Sequence, residues 1–260
     1  ITASVDQQET ITKDNVPVKV TAVIWYAVTD PVKAVVDVVD EGDRVAHHLA
    51  SPLPEGTGEV TGVVDQRRRF DYMQQHTGQH LLSAVLAEKY GIATASFHMG
   101  DALSTIDLAT GPLSAERLAE IEQAVNAEVA RNRPVSMAFE EAGSVVGLRK
   151  ESERTGLLRI VTIEGLDRSA CGGTHVRSTG ETGVVLLRRT EKVRDTLRLE
   201  FVCGLRAAAR ARADYDHLSR LSRLYSTGVD EVAAVAETQA ARLQEAEKAL
   251  LKLRLDAARQ

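Results

Sequence analysis

Cysteine is nearly absent from this chain of 260 residues. Cys171 and Cys203 are the only two, so a disulfide framework cannot be its scaffold. Aromatic residues make up only 4%, which leaves aliphatic side chains, within a hydrophobic fraction of 43%, to supply the core. No apolar run approaches the ~18 residues of a spanning helix, and the start at Ile1 lacks the basic-then-apolar order of a signal peptide. A membrane span is therefore not expected, and the cytoplasm is the expected compartment. Neither sign of charge dominates: 32 Lys+Arg against 37 Asp+Glu leaves a net charge of −5. That excludes a global basic field of the kind that holds nucleic acid unspecifically, so a polyanionic partner must meet a local patch.

The order of patterns along the chain predicts an α+β fold, an antiparallel sheet with helices packed on it. Residues 16–28 (VPVKVTAVIWYAV) alternate and are β-branched, which reads as a strand or two, and RVAHHL and GEVTGVV read as short strands around the turn SPLPEGTG. The stretch DQRRRFD then reads as a charged crossing. From Met73 to Lys89, Leu81, Leu82, Val85 and Leu86 fall at helical spacing, and Gly91 offers a C-cap. TASFHMGDALSTIDL alternates as strands. Ser114 caps a second helix, striped by Leu118, Ile121, Val125 and Val129 and running to about Asn132 before Pro134. PVSMAFE, LLRIVTI, GVVLLRRTEKV and TLRLEFVC read as further strands. Beyond Gly204, Ala, Leu, Arg and Glu dominate, and Leu243, Ala246, Leu250, Leu253 and Ala257 keep a four-three spacing, as in a coiled-coil seam.

The chemistry is concentrated in two short motifs. His76 and His80 lie four apart on the predicted helix, so both imidazoles leave one face about a turn apart. Far downstream stands Cys171-Gly172-Gly173-Thr174-His175, whose glycines allow a tight turn that aims a thiolate and an imidazole at one point. Either pair alone is weak, since histidines often merely pack. Together they make an N₃S set that suits Zn²⁺ far better than Mg²⁺ or Ca²⁺. The metalloprotease pattern fails, because Thr77 stands where HExxH needs glutamate. Asp167, four residues before Cys171, either orients a ligand imidazole or caps a loop. His47, His48 and His217 have no partner pattern and read as surface or packed histidines, and Cys203 as a buried small hydrophobe.

MQQHTGQHLLSAVL, SFHMGDALSTIDL, RNRPV and RSACGGTHVRSTGETG resemble the editing domain of alanyl-tRNA synthetase and its freestanding AlaX-type relatives, over about Glu41 to Gly204. The threonyl-tRNA synthetase second editing domain shares HxxxH…CxxxH, but QQHTGQHLLSAV and STID sit closer to the alanyl group. The resemblance implies the second-additional-domain fold, zinc on His76, His80, Cys171 and His175, and deacylation of tRNA(Ala) mischarged with serine or glycine. It also implies that Thr94, Ser96 and His98, on the strand after the zinc helix, take part in discrimination. Thr94, His98 and Asp167 are the candidate catalytic residues. A synthetase likeness carries nucleotide and ATP binding with it, yet no ATP-binding or anticodon-recognition segment is visible, and aminoacylation is not expected. Longer family members begin with a β-barrel bearing a GGQP-type element. No such element occurs here, and residues 1–40 instead resemble a fragment of the stomatin/prohibitin domain.

The expected organisation is thus that fragment over 1–40, a barrel remnant over 41–72, the zinc-containing editing domain over 73–204, and a helical tail over 205–260 that either pairs two chains as a homodimer or packs on the editing domain. For tRNA, the basic candidates are Arg67, Arg68 and Arg69 beside Phe70, and Arg188, Arg189, Lys192 and Arg194 with Arg198. A solvated face is the plain alternative for any one of them. The competing reading of the whole chain is a non-enzymatic, zinc-stabilised scaffold or a membrane-associated coiled-coil protein.

Overall fold

The computed structural model describes residues 65–153 and 155–258 and, before them, five short strands. These are β1 (Thr2–Asp6), β2 (Glu9–Ile11), β3 (Pro17–Lys19), β4 (Val35–Asp40) and β5 (Arg44–Leu49). β5 lies between β1 and β4 in an antiparallel sheet, and β2 pairs with β3. The turn read at 51–58, the strand at 58–64 and most of the pair at 16–28 lie outside the described residues, as do the side chains of His47 and His48. Two compact units divide the chain, residues 1–204 and 205–260.

The first long helix, α1, spans Gln66–Tyr90 and starts a full two turns before the sequence pattern does. Arg67, Arg68 and Arg69 therefore stand in its first turn instead of on a charged crossing, and a domain boundary at 72/73 would cut through it. The reason is local: Asp65 caps the helix by accepting from the Arg68 amide at 3.1 Å, a signal that the arginine run hides. At the other end Gly91 adopts the left-handed conformation, φ 64°, of a C-cap. From Gln74 to Leu86 nearly every residue of α1 is buried, so its core face is not a stripe but almost the whole circumference. Polar groups in that run are satisfied: Gln75 bonds the backbone of Cys203 twice, at 2.8 and 3.0 Å. Gly78 lets α1 approach there, since a Cβ in its place would lie 2.2 Å from the Cys203 sulfur.

Two antiparallel sheets receive this helix. One has the order β11-β12-β7-β6, with β6 at Thr94–Met99, β7 at Ser104–Leu108, β11 at Val185–Val193 and β12 at Thr196–Cys203. The other runs β10-β9-β8, with β8 at Val135–Glu141, β9 at Leu157–Ile163 and β10 at Asp167–Ala170. β10 is too short and polar to show as a strand in the sequence. The second helix, α2 (Ala115–Ala130), ends two residues short of the expected Asn132. Its cap is Ser114, as expected, and Glu122 and Asn126 bond the backbone of β11.

Leu81, Leu82, Val85 and Leu86 of α1, Ile121 and Val125 of α2, Ile106 and Leu108 of β7, Leu199 and Phe201 of β12 and Ile163 of β9 form one core. Each buried side chain of this size is worth ~1.5–3 kcal/mol. The fold is α+β, as the pattern of elements predicts, and Cys203 is buried in it. The second unit holds α3 (Gly204–Tyr225) from its second residue onward and α4 (Val232–Ala257), and His217 on α3 is exposed. No helix among the described residues is long and apolar enough to cross a membrane.

Candidate metal centre

α1 presents His76 and His80 with ring centroids 5.3 Å apart. The loop that leaves β10 brings Cys171 and His175 against them, with His175 centred 4.3 Å from His76 and 4.7 Å from His80. The Cys171 sulfur lies 3.4 Å from Nε2 of His76 and 3.4 Å from Nε2 of His175. One ligand atom from each of the four residues falls within 4.8 Å of the other three, so the set could hold a single metal ion. Gly173 makes this approach possible, because a Cβ there would sit 2.1 Å from Cε1 of His76.

The groups around the four fix which ring nitrogens face the centre. Nδ1 of His80 donates to the Asp167 carboxylate at 2.9 Å, which leaves Nε2 to point inward. Nδ1 of His175 is 3.2 Å from the Thr77 hydroxyl, and that hydroxyl also accepts from the Val176 amide at 3.2 Å. Asp167 is held in turn by Arg149 at 2.7 Å and by the Ser169 hydroxyl at 3.0 Å. Arg159 ties down the glycine turn, donating to the carbonyls of Cys171 at 2.7 Å and Gly173 at 2.8 Å. From β6, Phe97 stacks on His76 with centroids 5.8 Å apart.

Burial would raise the Cys171 thiol, but hydrogen bonds from His175, His76 and His80 outweigh it and pull the group down to about 2. It is a thiolate, the form that ligates. Burial, reinforced by the neighbouring His76 and His80, pushes His175 down to about 4, so its imidazole is neutral and ligand-competent. Burial alone would also lower His80, yet the hydrogen bonds to Asp167 and Cys171 raise it. Asp167 sits below its ordinary value: burial opposes ionisation, and the His80 bond and the Arg149 charge overcome it.

Residues 158–199 match the family described as the threonyl and alanyl tRNA synthetase second additional domain. The chain is 36% identical over 213 residues to the alanyl-tRNA editing protein Aarsd1 of Mus musculus, covering 79% of this chain and 52% of that one. It is 31% identical over 181 residues to the alanyl-tRNA editing protein AlaX-L of Pyrococcus horikoshii, covering 67% and 45%. The chain is thus similar to the AlaX-type alanyl-tRNA editing proteins. An alanine–tRNA ligase of Cenarchaeum symbiosum is 36% identical over 198 residues, 69% of this chain and 22% of the ligase. The chain spans about half the length of the curated editing proteins it matches. Neither the site nor the names of these proteins support the nucleotide and ATP binding that a synthetase likeness implies.

The other candidate residues divide. Asp167 stands directly behind a histidine of the cluster. Thr94 faces α1, donating to Ser83 at 2.8 Å, and Ser83 also accepts from Gln79 at 2.7 Å. His98 is exposed and lies across the strand from Phe97, so the structure does not bring it to the cluster. The cause is a bulge: pairing of β6 with β7 slips between Thr94 and Ser96. The inward side thus passes from Thr94 to Phe97 and leaves Ser96, bonded to Asp107 at 2.7 Å, and His98 outside. Simple alternation along TASFH cannot foresee that.

Among the basic candidates, Arg67 is exposed and Arg69 half-buried, while Arg68 donates to Asp101 at 3.0 Å and lies over the Tyr72 ring. Arg189 pairs with Glu191, and Arg198 makes two bonds to Asp107 at 2.7 and 2.9 Å. Lys192 and Arg194 are exposed at the β11–β12 turn, and Arg188 is half-buried on β11. Sequence names Thr77 only as the residue in place of the HExxH glutamate, not as a partner of His175, and Arg149, Arg159 and Ser169 carry no spacing signal at all.

Proposed function

We propose that this chain hydrolyses the ester that joins serine or glycine to mischarged tRNA(Ala), acting in trans in the cytoplasm with zinc held by His76, His80, Cys171 and His175. The observation that carries the reading is the convergence of those four donor atoms within 4.8 Å in a chain similar to alanyl-tRNA editing proteins. A thiolate beside three imidazole donors suits zinc. The chemistry that the ion would supply when bound is Lewis acidity at the ester. The chain's own residues do the rest: Asp167 and Thr77 orient His80 and His175, Arg159 fixes the turn that carries Cys171, and Phe97 shields His76. Arg67, Arg68, Arg69, Arg188, Arg189, Lys192 and Arg194 are proposed to meet the tRNA phosphates.

Deacylation of Ser-, Gly- and Ala-tRNA(Ala), with and without a chelator, tests this directly. The expected result is turnover of the first two, sparing of the third, and loss of turnover on chelation. No turnover, or turnover indifferent to the chelator, counts against it.

Selectivity is assigned to Thr94, whose hydroxyl lies in the Gln79–Ser83–Thr94 chain beside the zinc helix. If that hydroxyl reads the seryl hydroxyl, Thr94→Val loses one buried hydrogen bond worth ~1–3 kcal/mol, and serine turnover falls about 5- to 150-fold relative to glycine. Ser96→Ala and His98→Ala, on the outer side of the bulge, are the controls. Equal loss on both substrates in Thr94→Val would make Thr94 a packing residue.

The homodimer is proposed through α4, where Leu243, Leu250 and Leu253 are 61%, 49% and 67% exposed. Light scattering before and after removal of residues 205–260 checks it, and a chain monomeric in both forms rules it out.

A further inference from the structure

We propose that Phe139 and Leu157, flanking Arg159 on the sheet face that carries Cys171, seat the terminal adenine base of the aminoacylated tRNA; this rests on the deacylase reading above. Register defines the face. Directly paired residues of antiparallel strands point the same way, and here Phe139 pairs with Arg159, Glu141 with Leu157, and Met137 with Val161, which also pairs with Ser169. Asp167 and Ser169 lie on this side, and Asp167 bonds His80, so the face is the one turned toward α1 and the cluster. Its inner part is closed, with Ile163 and Val161 buried. Its outer part is open, with Phe139 40% and Leu157 61% exposed.

Of the four phenylalanines Phe139 alone is exposed, and it stands on the edge strand β8. The Cys171 amide donates to the Arg159 carbonyl at 3.0 Å, so the cysteine continues the β10 side of the sheet opposite Arg159. From there Phe139 is two strand spacings away, about 10 Å, a separation that a ribose and its base can bridge when the ester lies at the cluster. The guanidinium of Arg159 is committed to the turn carbonyls and to the Met137 sulfur, leaving a flat floor with an aromatic side chain on one flank and an aliphatic one on the other. A base has a π-face for Phe139 whatever its sequence context. An apolar seat continuous with the reaction centre matches the one part of the substrate that is both planar and covalently next to the ester.

The test uses the whole chain. Phe139→Ala is expected to raise KM for Ser-tRNA(Ala) about 10-fold with kcat held within about twofold, the pattern of lost uniform binding. Zinc content and melting temperature should stay as in the wild type. Phe139→Trp should keep KM and add a fluorescence that adenosine 5′-monophosphate quenches, with wild type and its single Trp25 as the blank. An unchanged KM in Phe139→Ala overturns the proposal, as does a fall in melting temperature with no change in KM, which would mean that the face is covered by the chain itself. If the wild type does not deacylate Ser-tRNA(Ala), the deacylase reading fails. The nucleotide titration then still decides the seat: quenching sustains an adenine site, and its absence removes it.

Discussion

Replacing Cys171 by alanine is expected to strip the zinc from the purified protein and to lower Ser-tRNA(Ala) deacylation by about a thousandfold or more. The sulfur touches two imidazoles, at 3.4 Å each, and is held as a thiolate at about 2. It is the one anionic donor in the set. Three histidines could still meet the ion, yet the loop that carries His175 would lose the contact that draws it to α1. A Lewis acid at the reacting carbonyl is worth several kcal/mol, which is where the thousandfold comes from. Elemental analysis and single-turnover deacylation measure the two effects side by side. Cys203→Ala is the control, because Cys203 is buried against α1 and outside the cluster, and it should keep its zinc. Unchanged zinc in Cys171→Ala would sink the assignment.

The same variant separates an enzyme from a scaffold. A site that only braces the fold gives up structure with its metal, so loss of zinc should appear as loss of helix signal. A catalytic site sits on elements that stand without it. Here α1 is anchored by Leu81, Leu82, Val85 and Leu86 in the core and by the Gln75 bonds to Cys203, none of which needs an ion. Retained secondary structure with lost turnover is the expected pair of results.

The convergence of His76, His80, Cys171 and His175 was legible in the sequence because helical spacing and a glycine turn each constrain geometry within a few residues. HxxxH can only place two rings on one helix face, and CGGTH can only close tightly. What surrounds the set was not legible, since Arg149 and Arg159 reach it through sheet register and loop course, which leave no local mark. The strand TASFH shows the limit most clearly. Its alternation is visible, but the bulge at Thr94/Ser96 depends on pairing with β7, and it decides that Thr94 and Phe97 face inward and His98 does not. The early start of α1 failed for a different reason: a run of arginines in the first turn opposes the helix dipole, and the Asp65 cap together with burial of the next turns overrides it.

Asp167→Ala should be the most destabilising single change at the site, and its cost is expected to divide into two measurable parts. The carboxylate is fully buried, and it accepts from His80, whose side chain is 5% exposed, and from Arg149, 21% exposed. Removing it leaves the Arg149 Nε–H and the His80 Nδ1–H without their acceptor and the guanidinium without its counter-charge, the Ser169 hydroxyl remaining its other partner. Breaking a buried pair from one side costs about 3–5 kcal/mol, a fall of about 10 °C or more in melting temperature for a unit of this size. The second part is metal affinity. With Nδ1 no longer held, the His80 ring is free to turn, and zinc binding should weaken about 10- to 100-fold, the usual effect of deleting a group that orients a ligand histidine. Asp167→Asn keeps the shape and one acceptor oxygen but not the charge, and the side chain can serve either His80 or Arg149 but not both as before. It should fall between wild type and Asp167→Ala on both scales. Differential scanning calorimetry and competitive zinc titration give the two numbers independently. A large drop in melting temperature with unchanged zinc affinity would make Asp167 a brace for Arg149 and the β10 edge alone, and His80 would then owe its orientation to the packing of α1.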